Sequence, residues 1–528
     1  MSMNNNGKYI LAIDLGTSGP KAALVTTRGE VIDYEFQEVE LVLLPGGGAE
    51  QRPEEWWDAI LAVSKRVLGK RLVPAETIAA VSCTTQWSGT VAIDRDGRPL
   101  MNAVIWMDTR GSRYVDQLTN GFIKVENYSI FKLQKWLRLT GGAPTHSGKD
   151  PIAHILFIKN ERPEIYRQTY KFLEPKDYIN FKLTGQLAAS YDSIALHWIT
   201  DNRNIAKVAY NDQLIKMAGV EREKFPDLKR AVDILGPLRQ DLARELGLHA
   251  DTPVIVGTHD IGSAAVGSGA VKDFEGHLYI GTSSWLTCHV PFKKTDVIHN
   301  IGTLPSAIPG KYFVANEQET AGACLNFLRD NILYHKDLLL DETQLPDVYK
   351  IFDQIAENVP AGSGNLIFTP WLYGERAPVD DHSVRSAIFN MSLSTTREHL
   401  IRAVFEGVAY NSRWLLGYVE KFIKQPLNPI NFIGGGANSR IWGQIMADVL
   451  NRTIRQVKDP IQTNVRGAAF LASAALGCIT FDEISDTIQI GNTYTPNPQN
   501  RKIYNGLFKE FKTIYKANKG IFRRLNPA

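Results

Sequence analysis

Cysteine is scarce in this chain. Cys83, Cys288, Cys324 and Cys478 stand far apart in mostly apolar or small surroundings, with no Cys-x-x-Cys pair. That spacing argues against zinc binding or dithiol redox work and predicts that most of them are buried thiols. The histidines include no His-Glu-x-x-His or comparable ligand spacing, so no protein-built transition-metal site is expected. Gly-x-x-x-x-Gly-Lys-Ser/Thr is missing too, which argues against a Walker-type NTPase. No run is long and apolar enough to span a bilayer, and the polar start Met1 to Lys8 lacks the apolar core of a signal peptide, so a cytoplasmic protein without a membrane partner is expected. Net charge is nearly absent as well: 59 basic and 56 acidic residues leave +3. Such a balance gives no global attraction to nucleic acid, and partners must be read from sites.

What is present suits a folded enzyme. With 528 residues, 44% of them hydrophobic and 22% charged, the chain has the composition of an ordinary globular protein and the length of two large domains. The division is expected near the middle, as residues 1–268 and 269–528. The stretch Asp251 to Ala270 lies there. Pro253 to Val256 is a β-branched run fit for a buried strand, Gly257 is expected to end it, and the small residues Ser263 to Ala270 suit a tightly packed helix. Asp260 then falls at a strand-to-helix turn. A carboxylate there meets free N–H groups and the positive end of the helix dipole, which favours its ionised form, as a general base requires. The same position suits a helix N-cap without chemistry.

Three glycine-bearing turns follow apolar strands. Tyr9 to Ile13 leads into Asp14-Leu-Gly-Thr-Ser-Gly19 and a second apolar run, Ala22 to Val25, which together read as a hairpin. Its composition suits phosphate and Mg²⁺: glycine lets the backbone approach, Thr17 and Ser18 donate, and Asp14 can hold a hydrated cation. An ordinary polar hairpin turn would look the same. His277 to Ile280, then Gly281-Thr-Ser-Ser284, then Trp285 to Val290 repeat the plan, which suggests a duplicated unit whose halves clamp a polyphosphate between them. The third turn is Gly434-Gly-Gly-Ala-Asn438, between the strand Ile430 to Ile433 and a helical pattern. It lets an adenosine rest on backbone, or merely lets helix pack on strand.

Other stretches have plainer readings. Pro53-Glu-Glu-Trp-Trp57 reads as a helix start with its tryptophans in the core, and Thr395 with Glu398 as a capping box. Ile503, Leu507, Phe508, Phe511, Ile514 and Tyr515 recur at helical spacing, as in a terminal helix packed on the second domain. Gln86, Trp87 and Ser88 follow the strand Ala79 to Val81, where a loop would meet substrate; the amide and hydroxyl can bind sugar hydroxyls and the indole can cover C–H groups. Asp108 and Arg110 can bind sugar hydroxyls or pair with each other, and substrate contact is expected of Asp108.

Asp14-Leu-Gly-Thr-Ser with Lys21, Gly281-Thr-Ser and Gly434-Gly-Gly-Ala-Asn438 resemble the two phosphate motifs and the adenosine motif of the actin-like ATPase superfamily, and the whole pattern resembles its FGGY carbohydrate kinases. Glu50 to Trp57, Gln86 to Gly89, Ile105 to Arg110, Pro175-Lys-Asp-Tyr178, Gly374-Glu-Arg-Ala-Pro378 and Glu406-Gly407 extend the match in the family's order, from about Tyr9 to Gly477. Within the family the chain is most similar to xylulose kinases. This resemblance implies an α/β fold of two ribonuclease H-like domains around a central cleft, with ATP and Mg²⁺ as cofactors and a small sugar or polyol such as a pentulose as substrate. It implies that Asp260 is the catalytic base and that Asp14 acts on Mg²⁺, directly or through water. Gly16, Thr17, Ser18, Gly281 and Thr282 would approach the β- and γ-phosphates, and Gly435, Gly436 and Asn438 the adenosine. Gln86, Trp87, Ser88, Asp108 and Asp260 would hold the sugar. A homodimer is compatible with this reading.

The chain departs from xylulose kinases at two sugar-facing places. It has Trp87-Ser-Gly89 where they commonly have Met-His-Gly, and Asp260-Ile261 where they have Asp-Asn, so its hydroxyl preference is expected to differ. Two other classes share part of the pattern: a non-sugar actin-like ATPase, and a sugar-binding regulator that has lost catalysis.

Overall fold

The computed structural model describes residues 7–333 and 347–526, so nearly all of the polar start lies outside them. Its framework is two mixed sheets built on one plan. The first contains β1 (Tyr9–Gly16), β2 (Gly19–Thr26), β3 (Val31–Phe36), β4 (Ile78–Thr85), β5 (Ile234–Pro237) and β6 (Pro253–His259), in the order β5-β6-β4-β1-β2-β3. β1, β2 and β3 form an antiparallel meander, β4 and β6 add on parallel to β1, and β5 closes the edge antiparallel.

β7 (Gly276–Ile280), β8 (Ser284–Val290), β9 (Thr295–Asp296), β10 (Ile301–Pro305), β11 (Tyr312–Ala315), β12 (Ile430–Ile433), β13 (Ile454–Val457) and β14 (Ile490–Tyr494) make the second sheet, ordered β9-β10-β11-β8-β7-β12-β13-β14. Its run β11-β8-β7-β12-β13-β14 reproduces β3-β2-β1-β4-β6-β5 strand for strand, including which neighbours are parallel. The repeated Gly-Thr-Ser hairpins are thus the same turn in two copies of one ribonuclease H-like unit.

β1 is apolar at successive positions because both of its faces are covered. Leu11 and Ile13 pack with Trp56, Trp57 and Ile60 of helix α1 (Pro53–Gly69), as the sequence predicts for the tryptophans. Ile10 and Ala12, on the opposite face, pack with Val465, Ala468 and Ala469. Those residues belong to a helix that comes from the other half of the chain. Helix α2 (Asp260–Gly267) leaves the first sheet after β6, yet its Ala264 packs with Trp285, Ile433 and Val457 of the second. With α3 (Arg397–Ile423), α4 (Arg440–Leu450), α5 (Thr463–Ala475) and α6 (Arg501–Leu525) placed, α5 reciprocates by covering the first sheet. The two units therefore interlock. α6 buries Leu507 and Phe511 in the second core, as its spacing predicts, and packs Phe508, Ile514 and Tyr515 against it; Tyr504 is buried there too, whereas Ile503 stays exposed.

Three local expectations are corrected. Gly257 does not end its strand: it takes φ +69° within a register shift, and β6 continues to His259. A Cβ at Gly257 would lie 2.3 Å from the Cys83 carbonyl oxygen, so the strand's bulge needs glycine. The helix after it begins at Asp260, three residues earlier than the small residues suggest. Finally, α3 is capped by Thr396, whose N–H donates to His399 Nδ1 at 3.2 Å, one residue after the expected box.

Candidate active site

A cleft of about 430 Å³ opens where the two units meet, lined by residues of both. The hairpin β1–β2 closes at Gly16 opposite Gly19, which puts Thr17 and Ser18 at its tip and Asp14 inside the strand opposite Lys21. Asp14, Gly16, Thr17, Ser18 and Lys21 all line the cleft. Thr17 is fixed from two sides: its hydroxyl donates to Gln86 Oε1 at 3.1 Å and accepts from Trp106 Nε1 at 2.9 Å. The copy of this turn in the second unit brings Thr282 and Ser283 to the same cleft. Gly281 stays beneath them, its carbonyl accepting the Gly322 N–H at 2.7 Å.

Of the third turn, Gly434 and Gly435 reach the cleft. Gly436 does not; a Cβ there would meet Ile280 at 2.5 Å and Trp442 at 3.0 Å, so its lack of a side chain serves packing of helix on strand. Asn438 is exposed outside the cleft.

Asp260 is the first residue of α2, not its cap. His259 takes that role, its Nδ1 accepting the Gly262 N–H at 3.2 Å. The expectation that the helix start keeps Asp260 ionised fails on magnitude. Burial, the neighbouring Asp14 charge and Glu317 outweigh the N–H groups of Ile261 and Trp87, and its pKa is pushed up to about 7. Burial also raises Asp14, against the opposing pull of Lys21 and Asn464. The Asp14 carboxylate accepts one long side-chain hydrogen bond, from Asn464 at 3.5 Å, which leaves it free to serve a hydrated cation.

Trp87 and Ser88 lie in the wall next to Asp260. The indole of Trp87 stacks on His259 with ring centroids 3.7 Å apart and donates Nε1–H to the Ser193 carbonyl at 2.9 Å. Ser88 holds φ at +66°, and its hydroxyl donates to the Lys149 carbonyl at 2.6 Å. A non-glycine residue in that region is strained, and such strain gathers at functional sites.

Gln86 and Asp108 are not in the cleft wall. Gln86 is buried, donating to Gln51 Oε1 at 2.8 Å and accepting from Thr17, so it braces the β1–β2 turn. Asp108 is wholly buried and takes the Ala49 N–H, the Arg110 N–H and Arg110 Nε, each at 2.9 Å. Expected as a sugar ligand, Asp108 instead realises the other reading of that stretch, a pair with Arg110, with both oxygens engaged and no access to the cleft.

Several lining residues were not expected: Trp106, Lys149, Asp150, Glu317, Arg376 and the pair Tyr279 and Trp285, stacked at 3.8 Å. Arg376 sits in the Gly374 to Pro378 block quoted above. Nothing in the sequence around Lys149 marks it, since its place depends on a loop reaching across to the second unit.

Two ribonuclease H-like units, interlocked by exchanged helices and presenting paired hydroxyl turns and a half-buried carboxylate to one cleft, define a phosphotransferase of the actin-like ATPase class. The family models for the N-terminal and C-terminal domains of the FGGY carbohydrate kinases match residues 9–267 and 277–476, and the chain belongs to that family. A gluconokinase of Bacillus subtilis (strain 168) is 28% identical over 508 residues, covering 95% of this chain and 94% of the relative. A xylulose kinase of the same organism is 27% identical over 521 residues, covering 97% and 98%. Among solved structures, ligand-bound xylulose kinase from Lactobacillus acidophilus superposes with a TM-score of 0.86 at 26% identity, covering 98% of this chain and all of the other. The protein is a carbohydrate kinase, xylulokinase-like in fold, and a non-sugar ATPase is set aside. No helix among the described residues is long and apolar enough to cross a membrane.

Proposed function

We propose that the protein transfers the γ-phosphoryl group of ATP to a hydroxyl of a small sugar or polyol, with a pentulose such as xylulose as the acceptor. The observation that carries this reading is Asp260: a half-buried carboxylate whose pKa is pushed up to about 7, in the wall shared by the Trp87–Ser88 loop and the phosphate turns. A base of that strength is about half ionised at neutral pH and still strong enough to take a hydroxyl proton.

The acceptor hydroxyl gives its proton to Asp260 as its oxygen bonds to the γ-phosphorus, and the bond to the β-phosphate bridging oxygen breaks to release ADP. Thr17, Ser18, Thr282 and Ser283 supply hydroxyl and backbone donors to the phosphate oxygens from both sides. Asp14 is the residue suited to a Mg²⁺ ion, which when bound neutralises charge on those oxygens. Gly434 and Gly435 offer bare backbone to the adenosine, and Gln86 steadies Thr17 from behind. Residues 1–268 then carry the acceptor and the base, and residues 269–528 most of the nucleotide contacts.

Measuring ADP release with a panel of ketopentoses, aldoses, polyols and sugar acids tests the proposal. Acceptor-dependent ATP consumption is expected, with a ketopentose or related polyol best. Binding of a sugar without turnover would instead support the regulator.

A further inference from the structure

Four charged side chains form a single chain across the cleft. Lys149, from the first half, places Nζ 3.4 Å from both carboxylate oxygens of Glu319 in the second. Glu319 accepts from Arg376 Nε at 2.9 Å, its Oε1 also lies 2.8 Å from Nη2 as an ion pair, and Arg376 Nη1 pairs with Glu317. Lys149, Glu317 and Arg376 line the cleft beside the acceptor loop, for Ser88 is hydrogen-bonded to the Lys149 backbone.

Resting on the kinase reading above, we infer that the acceptor is an uncharged polyhydroxy compound and not a sugar acid, and that the Glu317–Arg376 pair enforces this choice. The two cations are matched one to one by Glu317 and Glu319. Arg376 already serves two carboxylates, Glu319 through Nε and Glu317 through Nη1, so a third would have to share its charge with them. Left over on this side of the cleft are Asp260 and Asp150, the latter held by neutral donors, the Thr145 N–H and Trp198 Nε1, both at 2.7 Å. A sugar carboxylate would enter a wall whose unmatched groups, Asp260 and Asp150, are both carboxyls. To gain a cation it would have to share Lys149 with Glu319, or Arg376 with Glu319 and Glu317, which leaves the wall's own carboxylates only partly matched.

A hydroxyl meets the opposite situation. Glu317 offers carboxylate oxygens at the wall, and Lys149 has three donors with only one carboxylate, at long range, to use them. Donor and acceptor side by side suit the ambivalent hydroxyl and no anion. Trp106 and Tyr373 flank the same ammonium, with ring centroids 6.0 and 5.3 Å away, and keep it among aromatic faces.

The test compares kcat/KM of the wild type for D-xylulose and xylitol with that for D-xylonate and D-gluconate, in the ADP-release assay and with calorimetry of each acceptor alone. The acids are expected to be poorer by at least about a hundredfold, as like-charge juxtaposition in an enclosed site requires. Glu317→Gln removes one negative charge and frees one edge of Arg376, so it is expected to narrow the ratio by about tenfold. An acid used as well as or better than the neutral acceptors overturns the inference while leaving the kinase reading intact. A ratio unmoved by Glu317→Gln overturns the role of that pair. Silence with every acceptor overturns the kinase reading and the inference with it.

Discussion

Gly267 on α2 and Gly467 on α5 face each other where the exchanged helices cross. A Cβ at Gly267 would lie 2.8 Å from the Gly467 nitrogen and 1.9 Å from the Thr463 carbonyl oxygen; one at Gly467 would lie 1.9 Å from the Ser263 carbonyl oxygen. Neither backbone can retreat, since each helix is pressed onto the opposite unit's sheet. Gly467→Ala should therefore destabilise the protein by about 1–3 kcal/mol, the usual cost of overpacking. It should also lower turnover, because α2 begins with Asp260. Gly417→Ala is the control: it lies exposed in α3 with open space around its Cβ, and should raise stability slightly through helix propensity. Thermal melting and kcat of the two variants check the contrast.

Asp260→Asn should lower kcat by about two to four orders of magnitude, the usual worth of a positioned base. In the wild type, activity should rise with pH through about 7, since the carboxyl works only when deprotonated. Stability should run the other way. A carboxyl whose folded pKa stands above its unfolded value binds its proton more tightly when folded, so stability falls as pH rises from about 4 to about 7 and stays lowered above. Asp260→Asn should thus melt higher than wild type at pH 8, with the gain vanishing toward pH 4. A variant equally active, or no more stable at pH 8, contradicts the assignment.

Asp14→Ala should impair use of Mg·ATP while leaving binding of the sugar alone nearly intact. Asp14 lies at the end of β1 opposite Lys21, whereas the acceptor loop follows β4. Calorimetry with each ligand separately reads the difference. Equal loss of sugar affinity would place Asp14 at the wrong end of the cleft.

The framework was legible because its signals are local. An unbroken apolar strand such as Tyr9 to Ile13, a Gly-Thr-Ser turn and its repeat at Gly281 declare the two hairpins within 17 and 14 residues. The cleft was legible in part. Asp260, Thr17 and Thr282 sit at strand ends, where topology alone sends them to the cleft; Asp108 does not, and whether its oxygens were already taken depended on Ala49 and Arg110. The protonation of Asp260 was misjudged because burial is a property of the assembled units, while the helix start is visible in sequence. The exchange of α2 and α5 between sheets, and the chain from Lys149 to Glu319, join residues 201 and 170 positions apart and leave no local trace.

Ser88 combines a strained backbone with a hydroxyl in the acceptor wall, and two substitutions separate these roles. Its hydroxyl hydrogen is committed to the Lys149 carbonyl at 2.6 Å, which leaves the oxygen's lone pairs for a sugar hydroxyl. Ser88→Ala and Ser88→Gly both delete that acceptor, so both should raise KM for the sugar by about tenfold, the worth of one hydrogen bond of about 1.4 kcal/mol. They should differ in stability. Alanine keeps a side chain at φ +66°, whereas glycine occupies that region without penalty, so Ser88→Gly should be more stable than Ser88→Ala by about 1 kcal/mol. This order is the reverse of that at ordinary backbone positions, where glycine is the less stable of the two. Melting curves and acceptor KM values for the pair decide it: equal stabilities would mean that the turn relaxes, and an unchanged KM would remove Ser88 from the acceptor site.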